Sequence, residues 1–444
     1  MKARLLTWAE HLRQSFWVVP GSMAVAAALM ALGTSWFDRK HLDKVDSEFW
    51  WIFTAGPDGA RAVLSTIAGS TITVAGVVFS ITIVALSLAS QQYGPRLLRN
   101  FMKDRGTQMT LGTFTSVFLY SIIILRTVRG DDFSLNVPHI SVTIAIALSI
   151  VALGVLIYFV HHVSSSIQAD VIIARVGAEL ESSVLELLKA AEDENGKGLP
   201  HSPEREWAIA LATRDAYVQA VDHDSIVKEA VRRNAYVELC RAPGSFVFCG
   251  APLLRVSPPQ ELENEDWVRD SIALGSVRTP TQDARFSLHL LVEMALRALS
   301  PSLNDPYTAI ACIDRLSSAL AHLGSSPIRK GVWRDAEGTA RLAIPPVDYE
   351  DLVEGAYTQI RQSAVGSHAV SVHLLESIAE VILLVDDPAR RKILLEEARN
   401  VIEGQDLNAM VPADRRRLEV AWADVIRAAA GEQEKGRESV DPSP

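Results

Sequence analysis

Cysteine is scarce. The three present, Cys240, Cys249 and Cys312, are too few and too scattered for a disulfide framework or a zinc site. Unpaired thiols suit a reducing compartment, which puts the part of the chain that carries them in the cytosol. A basic excess is also missing. The formal charge is −10, and a nucleic-acid partner is excluded because phosphate binding needs a positive surface. There is no P-loop, no G-x-S-x-G, no H-E-x-x-H and no dinucleotide fingerprint. No cofactor or metal is expected, and enzyme chemistry has no motif behind it.

A different absence is local. The stretch "AGSTITVAGVVFSITIVALSLAS", residues 68–90, carries no charge over twenty-three positions. It is one of four apolar runs that meet the roughly 20 residues a bilayer demands. They cover residues 16–37, 63–90, 109–128 and 139–160, and tryptophan anchors both ends of the first. Acidic, helix-patterned sequence follows. The expected fold is therefore a membrane α-helical domain of four transmembrane helices (1–165) followed by a cytosolic α+β domain. Within the latter we expect a helical stalk (166–200), a small β barrel or sheet (201–275), a helical bundle with a β-hairpin (276–430) and a disordered tail (431–444).

An even number of spans puts both termini on one side. Lys2, Arg4 and Arg13 precede the first span, and Arg96, Arg99, Lys103 and Arg105 follow the second. The first outer loop balances its lysines and arginines with Asp38, Asp43, Asp46 and Glu48. This bias favours a multi-pass membrane protein with both termini cytoplasmic. Past Gly94–Pro95, Leu97, Leu98, Phe101 and Met102 form an apolar face beside the four basic residues. That pattern is an interfacial helix lying on anionic headgroups. Phe49, Trp50, Trp51 and Phe53 read as an outer aromatic belt.

The second span is threaded with small polar residues. At 100° per residue, Thr66, Ser70, Thr73, Gly76, Ser80 and Ser87 share a sector about 120° wide, with Thr71 and Thr82 opposite. Two readings stay open: close packing between helices, which uses small residues in place of a hydrophobic drive, or a wet path in a homo-oligomer. No acidic ring or carbonyl filter accompanies the stripe. A neutral path of this kind would pass small ions weakly selectively, with the basic mouth favouring anions.

The C-terminal half holds the most distinctive motif, "RTPTQDARFSLHLLVEMALRALSPSLNDPYTAIACIDRL" (278–316). His289, Glu293 and Arg297 recur at i, i+4 and i+8, an acid–base or metal pair on one reading and an ion-pair ladder on the other. Asn304 and Asp305 precede Pro306, with Asp305 as N-cap and Pro306 at the first helical position. Asp222 or Asp224 caps an earlier short helix. "PGSFVFCGAPL" resembles the turn of biotinyl/lipoyl-like barrels without the lysine those carriers modify, which implies a small β barrel or sheet and no carrier chemistry.

Together, "AGVVFSITIVALSLASQQYGPRLLRNF" and the 278–316 motif resemble a widespread family of bacterial predicted membrane proteins catalogued as a domain of unknown function. The resemblance runs over nearly the whole chain and implies a membrane protein with no assigned catalytic residues. The expected function is a homo-oligomeric channel or transporter-like protein with a cytosolic regulatory domain. The alternatives are a membrane-tethered enzyme and an envelope scaffold or adaptor. The lipid bilayer and further copies of the chain are the expected partners.

Overall fold

The computed structural model describes residues 16–41, 56–97, 104–128, 137–192, 206–262, 265–325 and 331–431. The aromatic belt 49–53, Arg99, Lys103 and most of the interfacial helix expected after Pro95 lie outside these residues. The chain divides into two compact units, with the boundary between Gln168 and Ala169.

The N-terminal unit is built from α1 (Val18–His41), α2 (Pro57–Tyr93), α3 (Arg105–Thr127) and α4 (His139–Ser166). All four are long and apolar enough to cross a membrane. α2 starts earlier than hydropathy suggests. Pro57 occupies its first turn, where no amide bond is lost, and Gly94 closes it. Its 37 residues extend about 55 Å at 1.5 Å per residue, against a hydrocarbon core of about 30 Å.

α3 packs against the other three helices, burying Phe114, Val117, Tyr120 and Ile124. Polar groups inside this bundle are satisfied across helices. The Tyr120 hydroxyl donates to the Ser141 carbonyl at 3.1 Å and meets Thr34 Oγ1 at 3.1 Å. Asp38 is only 7% exposed and is not the loop charge its sequence position suggests. It ends α1 and accepts from the Ser141 amide (3.0 Å), the Ser141 hydroxyl (2.5 Å) and the Ile140 amide (3.3 Å). A helix start leaves its first amides without partners. Here a neighbouring helix supplies the cap for α4, and the negative charge sits at the favourable end of the helix dipole.

The C-terminal unit opens with α5 (Ala169–Glu192). Among the described residues eight strands follow in two sheets: β1 (Ala208–Leu211), β2 (Ala216–Val221), β3 (Tyr236–Leu239), β4 (Phe246–Val247), β5 (Pro252–Ser257), β6 (Ile272–Gly275), β7 (Val332–Arg334) and β8 (Ala340–Ala343). The strand orders are β1-β5-β3-β8-β7 and β4-β2-β6. Among the described residues both are open sheets and neither closes into a barrel. α6 (His223–Arg232) begins at Asp222, whose carboxylate accepts from the Ser225 amide at 3.1 Å.

The β7–β8 hairpin joins the first sheet through parallel pairing of β3 with β8, Val237 facing Leu342. It therefore belongs to the structure begun at residue 208. One apolar core, including Val237, Leu254, Val256 and Leu342, runs beneath these strands.

Among the described residues, and apart from the short turn of helix Asp266–Arg269, six helices complete the unit: α7 (Ala284–Ala298), α8 (Pro306–Gly324), α9 (Tyr349–Ser363), α10 (His368–Leu384), α11 (Pro388–Glu403) and α12 (Pro412–Ala430). α5 packs on α7 and α8, and α10 packs on α8 and α12. Cys312 is wholly buried in this layer, and burial pushes its thiol up to about 12.

Candidate functional site

Two regions bring the sequence motifs into one place, one in each unit.

In the N-terminal unit, α2 presents two different faces. Leu64, Ile67, Ala68, Thr71, Ala75 and Val78 are buried inside the bundle. The Thr71 hydroxyl is bonded to the Ile67 carbonyl at 2.7 Å. The six stripe residues, Thr66, Ser70, Thr73, Gly76, Ser80 and Ser87, are all exposed on the single chain. So the stripe is not what holds α2 to its own subunit.

Its hydroxyls are partly satisfied by their own helix. Thr66, Ser70 and Thr73 donate to the carbonyls of Ala62, Ile67 and Gly69 at 2.7, 3.1 and 2.8 Å. Ser87 Oγ lies 3.5 Å from Gln91 Nε2. Gly69 and Gly76 fall in the same sector, and a β-carbon on either would meet nothing within the chain. The exposed middle of α4 is built differently. It shows Ile150, Val151, Leu153 and Ile157, with Gly154 among them and Tyr158 beyond, and no exposed serine or threonine.

Of the basic residues, Arg96 and Arg105 are exposed at this end of the bundle. Asp104 N-caps α3 through the Thr107 amide (2.9 Å) and hydroxyl (2.7 Å), and it accepts from His162 Nε2 at 2.7 Å. His162 is therefore held inside the protein and stacked on Tyr158. Gly106 makes room for it, since a β-carbon there would run into the imidazole. Burial pushes the Asp104 carboxyl up, but the bonds from the Thr107 hydroxyl, His162 and the Thr107 amide outweigh it. The net value lies below the usual 3.8.

In the C-terminal unit, the 278–316 motif lines a cavity of about 380 Å³. Its frame is a fixed chain of three side chains. Arg278 Nε and Nη2 donate to the two oxygens of Asp283 at 2.6 and 3.0 Å, and Nη1 donates to His289 Nδ1 at 3.0 Å. A guanidinium only donates, so Nδ1 must accept and the ring proton sits on Nε2. The Asp283 side chain is 3% exposed. The turn 242–245 lies directly over it. Gly244 has φ +87°, and a β-carbon at that position would overlap the Asp283 carboxylate.

Gln282 completes the frame by clasping the backbone of Val221, accepting from its amide at 2.9 Å and donating to its carbonyl at 3.0 Å. In the same cavity lining His223 and Trp333 stack with ring centres 4.3 Å apart and planes 15° from parallel.

The other singled-out residues have plainer surroundings. Glu293 pairs with Arg297 at 3.4 Å, and His289 Nδ1 accepts from Arg278. Asp305 caps α8, accepting from the Thr308 amide and hydroxyl at 3.2 and 2.6 Å. Asn304 takes the left-handed turn before it, φ +46°. No group of three or more metal-ligating side chains occurs among the described residues.

Sequence reasoning did not single out Arg278, Asp283, Gly244, His223 or Trp333 as a set. The one signal was the breaker-rich "RTPTQDAR", which folds the chain back so that Arg278 reaches Asp283 five positions on.

Comparison with known proteins agrees with the four helices that could cross a membrane. The family model described as "Predicted membrane protein (DUF2254)" matches residues 13–380. The uncharacterized proteins Mb1321c of Mycobacterium bovis and Rv1290c of Mycobacterium tuberculosis are each 30% identical over 422 residues. The match covers 91% of this chain and 79% of theirs. No solved structure matches. The chain belongs to the DUF2254 family of predicted membrane proteins.

Proposed function

We propose that the protein is a homo-oligomeric, channel-like protein of the bacterial inner membrane, with both termini in the cytoplasm and the C-terminal unit acting as its regulatory part. The single observation that carries this is the outward face of α2. Lipid gives no reward for a column of serine and threonine hydroxyls along one helix face. Thr73, Gly76 and Ser80 make sense when a second α2 lies against them, because small side chains let two backbones approach. A ring of such helices would line its axis with hydroxyls. Arg96 and Arg105 at the inner mouth would favour small anions over cations.

The test pairs assembly with flux. The double variant Thr73→Leu, Ser80→Leu should lower the mass of the detergent-solubilised particle and abolish chloride flux in reconstituted liposomes. Disulfide trapping of Thr73→Cys between copies should succeed in the otherwise unchanged chain. A monomeric wild type with no flux of chloride, potassium or sodium overturns the proposal.

A further inference from the structure

We infer that the cavity framed by Arg278, Asp283 and His289 binds a neutral, planar heteroaromatic molecule of the nucleobase or nucleoside class. This does not depend on how the N-terminal unit assembles. At about 380 Å³ the cavity falls in the range of small-molecule sites.

Its lining is mixed in chemistry. The lining includes the mutually stacked rings of His223 and Trp333 with Leu187, Pro345, Pro346 and Val347, aromatic and apolar groups suited to the face of a ring. The same lining includes Arg278, Ser245 and His289, polar groups suited to a ring's edge.

Charge decides between ligand classes. Arg278 is matched by Asp283, and Arg285 is matched by Asp351 at 2.8 Å. Glu186 is exposed to water. A phosphate or carboxylate entering this space would have to compete with Asp283 and Asp351 for the two arginines, and an anion that must share its counter-charge gains less than it would from an unmatched cation. A neutral ring with donors and acceptors at its rim avoids that competition. The wall is also fixed in advance. Arg278 is held by three hydrogen bonds, and the Gly244 turn covers the Asp283 carboxylate, so little ordering is left for the ligand to drive.

Isothermal titration calorimetry on the full-length protein in detergent tests this, with adenosine, guanosine, cytidine and uridine as probes and inorganic phosphate as the anionic comparison. We expect saturable binding of at least one nucleoside. Trp333→Ala should weaken it about tenfold or more, in line with loss of a stacking surface, while Trp333→Phe should keep most of it. Val347→Trp fills the cavity without removing any of its frame and should abolish binding in a chain that still melts like the wild type. That variant decides the matter if Trp333→Ala fails to fold. The inference is overturned if phosphate binds as tightly as the best nucleoside or if Val347→Trp leaves binding unchanged. It is also overturned if no nucleoside shows saturable binding up to about 1 mM.

Discussion

Asp283→Asn keeps the shape of the side chain and removes only its charge. The carboxylate it replaces is 3% exposed, and its partner guanidinium is 24% exposed. Removing one partner of a buried ion pair costs about 3–5 kcal/mol, chiefly because the other charge stays desolvated. Arg278 is partly open to water and recovers some hydration, so about 2–3 kcal/mol is the expected loss. For a unit of this size each kcal/mol moves the melting temperature by about 2–4 °C, so the C-terminal unit should melt about 5–10 °C lower. The assay is thermal unfolding of the full-length protein in detergent, followed by far-ultraviolet circular dichroism. Its companion is the double variant Arg278→Met, Asp283→Leu, which leaves no unpaired charge and should regain more than half of the loss. A Tm for Asp283→Asn within about 1 °C of wild type refutes the reasoning. So does a double variant that melts as low as the single one.

Gly244→Ala should cost about 1–3 kcal/mol, because alanine is strained at φ +87° and its methyl displaces the Asp283 carboxylate; an unchanged melt would show that the turn is elsewhere. The depressed carboxyl of Asp104 contributes stability that is fully present above its unfolded value of about 3.9 and is lost as pH falls through the lower folded value. Below about pH 4 the wild type should therefore lose Tm more steeply than Asp104→Asn, and parallel curves would remove Asp104 as a stabilising group. At pH 8 the Cys312 thiol, pushed up to about 12 by burial, should resist a thiol reagent in the folded protein, while exposed Cys249 reacts promptly. Equal rates, read by mass spectrometry of the labelled peptides, would contradict the burial.

The features legible in the sequence were those with a local cause. Four apolar runs gave four helices because bilayer thickness sets their length. Asp222 and Asp305 were readable as caps because a short acceptor just before a helical stretch can satisfy that helix's own amides. What stayed hidden depended on a distant partner. Nothing local pairs Val237 with Leu342, and nothing local says that Asp38 closes the start of α4. The α2 stripe falls between these cases. Its periodicity fixes which residues share a face, but only the bundle reveals that Thr71 points inward and Thr73 outward. The cavity was the least legible. Its charged pair lies inside the recognised motif, but the stacked rings come from residues 223 and 333, and only the fold brings them into one cavity with Arg278.

The parallel pairing of β3 with β8 also constrains how the chain is made. Val237 waits for Leu342, which is 105 positions downstream. At about 5–20 residues per second, that interval lasts about 5–20 s on the ribosome. For all of it the nascent sheet carries a raw, hydrogen-bond-hungry margin of the kind that seeds association with other chains. Shortened versions ending anywhere between 257 and 340 would keep that margin permanently, so biosynthesis of this protein should be most vulnerable to stalling in that window.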